Sequence, residues 1–210
     1  MSKEIKASDR RPWPTAGDTD ENTLYASVGR ALTAWERYEA QLAFLFAQFT
    51  TAILFQPSIR AYCAVRTFEG RADMLRAASK SYFYGFGIGK DHQLTKDYKA
   101  ILSKATSFVP RRNDIAHGVV DHYMQQEKAE SFNKNEFALF PAYGSLKERD
   151  SAGIPGYCYT SAELDYFSDQ FAMLHKPAHI LAAQISVFTS SALHTPVSAL
   201  PRKSLPHADT

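Results

Sequence analysis

At 210 residues, with 45% apolar, 13% aromatic and 22% charged side chains and a formal net charge of +2, the chain has the make-up of a folded domain with a substantial core. That balance excludes collagen-like, disulfide-stapled and wholly disordered classes. The most apolar stretch, 42–55, is interrupted by Gln48, Thr50 and Thr51 and falls short of the roughly 20 residues a membrane-crossing helix needs. The charged N-terminus lacks the apolar run of a signal peptide, so no membrane association and a cytoplasmic location are expected.

Two cysteines, Cys63 and Cys158, have no CxxC spacing and read as two buried free thiols rather than a zinc site or a disulfide. Charge is unevenly placed: 60–112 sums to +7 and the rest of the chain to −5. Such a basic segment can hold a polyanion or simply present solvated helix faces.

Residues 1–22, with Pro12, Pro14, Gly17 and several acids, show no apolar period and read as a disordered N-terminal arm. From Leu24, the residues Val28, Trp35, Leu42, Phe46 and Phe49 fall on one stripe, which predicts a long amphipathic helix over 23–54. Pro57 breaks it, Ser58 is placed to cap, and a second helix is predicted over 59–84. Gly85, Gly87 and Gly89 form a turn that lacks both phosphate-loop and dinucleotide spacing. A third helix starts near Leu94; Pro110 should break it, with a fresh helix from Arg111. The period is lost over 122–159, which reads as an insertion with one hairpin. Thr160 and Glu163 have the spacing of a capping box for a last helix, which Pro177 should kink. The Pro-containing 193–210 reads as a disordered C-terminal tail. Together these predict an all-α fold: an antiparallel bundle of four long helices plus short ones over 23–192, with a loop or hairpin insertion near 122–159.

Chemistry concentrates in one place. Arg111, Arg112, Asn113, Asp114 and His117 lie within seven residues, directly after Pro110. On a helix Asn113 and His117 share a face, and Asp114 lies one turn from His117. A helix beginning at Arg111 would add free N–H groups and the positive end of its dipole, favouring a phosphate. A network that merely caps a helix start would use the same residues.

The run Arg112-Asn-Asp-Ile-Ala-His117, followed by Gly118, resembles the R-x4-6-H motif of HEPN domains, a superfamily of helical bundles that includes prokaryotic toxins and antiviral ribonucleases. Arg202 and His207 repeat the bare spacing, so the likeness rests on the Asn after the Arg and the Gly after the His. The stretch Trp35-Glu-Arg-Tyr-Glu39 is similar to first helices of one branch of these proteins. Glu39 falls near the apolar stripe, where a lone carboxylate would cost several kcal/mol. Its partner is either Arg112 or Asn113 in the site, or a second-helix arginine, Arg66 or Arg71.

The resemblance implies a homodimeric, metal-independent endoribonuclease in which two protomers bring their motifs to one cleft, in a toxin or phage-defence setting. An RNA substrate and an antitoxin or other protein inhibitor are the implied partners. His117 would move protons, Arg112 would clamp phosphate, Asn113 would orient, and Asp114, Glu39 and Arg111 would support them. Many such proteins are inactive RNA- or protein-binding modules, and that is the alternative. No metal and no cofactor are expected: His117, His122 and Asp121 lack a ligand spacing, and Pro177 separates His175 from His179. Phe44, opposite the first helix's stripe, suggests a further packing or dimer surface.

Overall fold

A computed structural model describes residues 6–125, 132–145 and 147–193. Asp20 accepts hydrogen bonds from the backbone N–H groups of Asn22 and Thr23, both at 3.1 Å, and so starts α1, Glu21–Phe49. The stripe of Leu24, Trp35, Tyr38, Leu42 and Phe49 is buried as expected. The helix stops five residues before the predicted 54: Thr51 takes φ 50°, and the chain turns away with Ile53 and Leu54 exposed. Pro57 then sits in the first turn of α2, Phe55–Ala64, rather than before it; there its missing N–H breaks no helical bond.

The single helix predicted over 59–84 is two. Val65 is extended, and Thr67 accepts from Gly70 N–H at 3.2 Å to start α3, Phe68–Gly85. A side chain on Gly70 would meet Val65 Cγ1 at 2.7 Å, so the tight fold-back needs glycine. Pro110 does not break α4, Gln93–Ala116. Phe108 and Ile115, each 1% exposed, anchor the helix in the core on both sides of the proline, and that packing outweighs one forgone backbone bond. Pro177 likewise lies inside α5, Ser161–Leu193, between buried Leu174 and Ala178. The capping box holds: Thr160 N–H and hydroxyl both donate to Glu163, the former at 2.8 Å.

The insertion contains an antiparallel hairpin, β1 (Gly118–Met124) and β2 (Phe132–Pro141), with a register slip between His122 and Tyr123. Residues 6–20 are not the free arm expected from their composition. They form an extended strap: Trp13 packs on Phe140 at 6.2 Å, Asp18 pairs with Phe137 through both backbone groups (2.8 and 2.7 Å), and the Asp18 carboxylate accepts from Ser161 N–H at 2.7 Å. A strap of this kind shows no period because each residue meets a different partner. The tail beyond Leu193 and the first five residues lie outside the described residues.

Side-chain pairings fix the helix directions. Arg30 with Asp165, Trp35 with Phe171 and Gln41 with His179 set α5 parallel to α1. Trp35 with Phe68 and Phe49 with Phe83 do the same for α3, whereas Phe49 with Tyr98 and Arg112 with Glu36 run α4 the other way. Successive helices alternate in direction, as expected of short connections, which leaves α3 and α5 parallel to α1. Cys158 is buried, but Cys63 is exposed, because α2 buries only Tyr62. No helix of the described residues is long and apolar enough to cross a membrane.

Gly118 joins α4 to the hairpin where a Cβ would lie 2.7 Å from Leu139 Cγ and 2.9 Å from the Asp114 carbonyl oxygen. Gly118→Ala should therefore lose roughly 1–3 kcal/mol in urea unfolding. Gly29→Ala, on the exposed side of α1 with nothing within 4 Å, should gain roughly 0.5–1 kcal/mol in the same assay.

Candidate functional site

Because α4 continues through Pro110, residues 111–117 form its last two turns and C-cap rather than the start of a new helix. The free N–H groups and positive dipole expected there are absent; the helix end carries unpaired carbonyls and a negative dipole end, which favours cations such as Arg112. Any hold on phosphate must come from side chains.

Arg112 and His117 are five positions apart, about 140° around a regular helix. They nevertheless line one cleft, because His117 is the C-cap: its backbone leaves the helix at φ −113°, ψ 6°, while its N–H still donates to Asn113 O at 3.0 Å. Asn113, one turn back, joins them. The cleft has a volume of about 350 Å³ and is closed by Trp35 and Glu39 of α1, by Val109, and by the 66–71 segment at the start of α3. His117 and Asn113 are exposed, and the His117 ring makes no hydrogen bond among the described residues. Arg112 Nη1 donates to Asn113 Oδ1 at 3.3 Å, its Nη2 lies 3.6 Å from Glu36 Oε1, and its Nε is buried without a hydrogen-bond partner. The guanidinium is held over the cleft by weak, exchangeable contacts.

Glu39 forms the cleft's inner wall and is nearly buried. Its Oε1 accepts from the Trp35 indole N–H at 3.0 Å, and its Oε2 accepts from Arg71 Nη1. Of the partners weighed from sequence, Arg71 is the one realised, and Glu39 makes no hydrogen bond or ion pair with Arg112 or Asn113. Arg71 Nε donates to Val65 O at 2.8 Å, so the same guanidinium pins the break between α2 and α3. Burial pushes the Tyr62 phenol up, and the Glu39 charge adds to the shift. Arg66 and Arg71 are the cleft cations that the motif does not contain; the Thr67 cap that starts α3 was the sequence signal for them.

Asp114 and Arg111 face the other way. The Asp114 carboxylate is 6% exposed and accepts from Arg10 Nε and Nη2 (3.1 and 3.0 Å) and from the Tyr159 hydroxyl (2.9 Å), with Arg111 Nε at 3.0 Å. Its backbone carbonyl accepts from the Tyr157 hydroxyl at 2.9 Å. Burial, helped by the Asp114 charge, pushes both phenols above their ordinary range. Burial pulls the Arg10 guanidinium down, yet hydrogen bonds to Asp114 and Glu148 hold it above its ordinary value. Asp114 is thus a structural hub, and its expected role as tuner of His117 is corrected.

Comparison with family models, with curated proteins and with solved structures returns no match to this chain. The site rests on its own geometry.

Elsewhere, the Asp121 carboxylate accepts from the Tyr143 hydroxyl, the His122 ring packs on Phe137 at 5.2 Å, and His175 stacks on His179 at 6.2 Å. Among the described residues no group of three or more His, Cys, Asp or Glu is arranged to hold a metal ion.

Site and scaffold separate experimentally. Asp114→Asn leaves two arginines without their buried charge and should cost about 3 kcal/mol in chemical unfolding, whereas His117→Ala, at an exposed position, should change stability by less than about 0.5 kcal/mol.

Proposed function

We propose that the chain is a metal-independent endoribonuclease of the HEPN type, acting as a homodimer whose two clefts form one composite site. The observation that carries this reading is the convergence of Arg112, Asn113 and an exposed, unengaged His117 on one cleft beside two further arginines.

Cleavage through the 2′-OH needs three things that these side chains supply. One imidazole takes the 2′-OH proton as that oxygen attacks phosphorus. A second imidazole gives a proton to the departing 5′-oxygen, which leaves a 2′,3′-cyclic phosphate and a 5′-hydroxyl. Cationic groups stabilise the doubly charged phosphorane between these steps, and Arg112 is placed for that role. Imidazole, with an unperturbed pKa of about 6.5, serves in both proton roles. Each protomer has one histidine in the cleft, so a two-fold dimer supplies the pair. Asn113 orients the substrate and Arg112. Glu39 acts as a positioning residue through Arg71, and Asp114 and Arg111 fix the turn that bears the others. The resemblance of the Arg112–His117 run supports a toxin or phage-defence setting, with an antitoxin or other inhibitor as a partner.

One observation favours a second reading, an inactive dimer that binds RNA or protein: His117 is the one histidine among the described residues that line the cleft. The two readings part on a single assay. Incubated with labelled RNA in EDTA, the wild type should cleave and leave 2′,3′-cyclic phosphate ends, with His117→Ala and Arg112→Ala slower by about 10²–10⁴-fold. A folded wild type that leaves a broad RNA panel intact would establish the binding module instead.

A further inference from the structure

Between α3 and α4, beyond the cleft, lies a larger groove of about 880 Å³ that takes no part in the proposed reaction. Its walls are successive turns of the two helices, from Arg76 to Tyr84 on one side and from Thr95 to Ser107 on the other. The thirteen residues of α4 from Thr95 to Ser107 make it about 18 Å long. The lining surface is mostly apolar, with Phe83, Tyr98 and Leu102 as floor and Ile88 at one end. Small hydroxyl residues widen it, and most of their hydroxyls are already engaged. Ser79, Thr95, Thr106 and Ser107 each bond a main-chain carbonyl, those of Arg76, Gly89, Leu102 and Lys104, at 2.7–3.1 Å.

Charge around this apolar floor is of one sign. Lys80, Lys90 and Lys99 line the groove and, among the described residues, form no ion pair. Arg76 adds a fourth cation, although its Nη1 is shared with Glu69 and Asp73 at 2.9 and 2.6 Å. No carboxylate lines the groove. A second observation is independent of charge: the Tyr98 side chain is buried in the wall, and its hydroxyl, near Ser79 and Arg76, has no well-formed hydrogen bond. A ligand oxygen placed to accept from it would supply one.

We propose that this groove binds a small amphiphilic anion, an acyl or aryl body carrying a carboxylate or phosphate. The body lies on Phe83 and Leu102. The head group accepts from the Tyr98 hydroxyl and is neutralised by Lys80 and Lys99. Volumes of about 300–1,000 Å³ with an apolar lining and few convergent polar groups are the ordinary form of such sites. A peptide helix fits less well, because its backbone is already hydrogen-bonded and cannot accept from Tyr98.

The test titrates the full chain with dodecanoate, dodecyl phosphate, dodecanol and dodecyltrimethylammonium below their micelle-forming concentrations, following displacement of an apolar fluorescent dye and backbone hydrogen exchange. At least one of the two anions should bind, protecting amides within 76–90 and 95–107, and the neutral and cationic probes should bind about tenfold more weakly. Comparing dodecanoate with dodecyl phosphate tells which head group is preferred. Lys80→Ala/Lys99→Ala should weaken the anion about tenfold. Tyr98→Phe, which removes only a hydroxyl with no well-formed hydrogen bond and so leaves the fold as stable, should weaken it about fivefold. Equal binding of all four probes, binding unchanged in both folded variants, or no binding at all would overturn the proposal. Protection of the same amides by oligouridylate that displaces the anion would assign the groove to RNA, and protection by self-association alone would assign it to a second copy; either result also overturns it. None of these outcomes depends on cleavage at His117.

Discussion

The candidate site depends on the Asp114 carboxylate. Removed from solvent and held by Arg10, Arg111 and Tyr159, it binds the strap, the last turn of α4 and the segment entering α5 into one network. A buried charge of this kind adds little net stability over an apolar substitute, yet removing one partner is costly, so the arrangement tolerates few alternatives. Its consequence is rotational. With Asp114 and Ile115 facing inward, Asn113 and Arg112 must face the other way, and the C-cap releases His117 onto the same side. Gly118 completes the constraint by letting Leu139 approach the end of the helix.

A second buried carboxylate does the same for the opposite wall. Glu39 is held by an indole N–H from its own helix and by a guanidinium from α3, and that guanidinium also ties down the backbone break before Thr67. Asp114 ties α4 to the strap and to the segment entering α5, Glu39 ties α3 to α1, and the cleft is the space left between them. Its chemical character follows from this division. Asp114 and Glu39 are spent on arginines inside the protein, while Arg66, Arg112, Asn113 and His117 line the cleft together with the exposed Glu69, which is paired with Arg76. The groove farther along the same two helices differs because its floor is aromatic and aliphatic and its cations are three lysines without ion-pair partners among the described residues, together with Arg76.

Much of this was legible in the sequence. The stripe of α1, the capping box of Thr160 and Glu163 and the hairpin in the insertion follow from local periodicity or spacing, whereas Arg112 and His117 share a cleft only because His117 leaves the helix at its C-cap. The misreadings share a cause: local signals were overruled by packing at a distance. Pro110 marks a helix break by itself, yet Phe108 and Ile115 hold the helix through it. The strap has too few apolar residues to show a period, but Trp13 and Asp18 each find a specific partner on the hairpin or α5. Asp114 was placed correctly one turn from His117, but Arg10 draws it to the far side of the turn, a contact spanning more than a hundred positions that no spacing rule reaches. The split between α2 and α3 was readable in principle, since Thr67 is a good cap, but continuous helical spacing across 59–84 hid it.

Whether two protomers share one reacting phosphate is tested most directly by mixing wild type with His117→Ala. The two proteins would be unfolded together in varied ratios, refolded and assayed on labelled RNA in EDTA. A shared site that uses both imidazoles predicts activity falling as the square of the wild-type fraction, because a mixed dimer keeps one His117 and lacks one proton role at the common phosphate. Activity falling in direct proportion to the wild-type fraction, from dimers that exchange, would contradict the shared site and confine the chemistry to a single protomer.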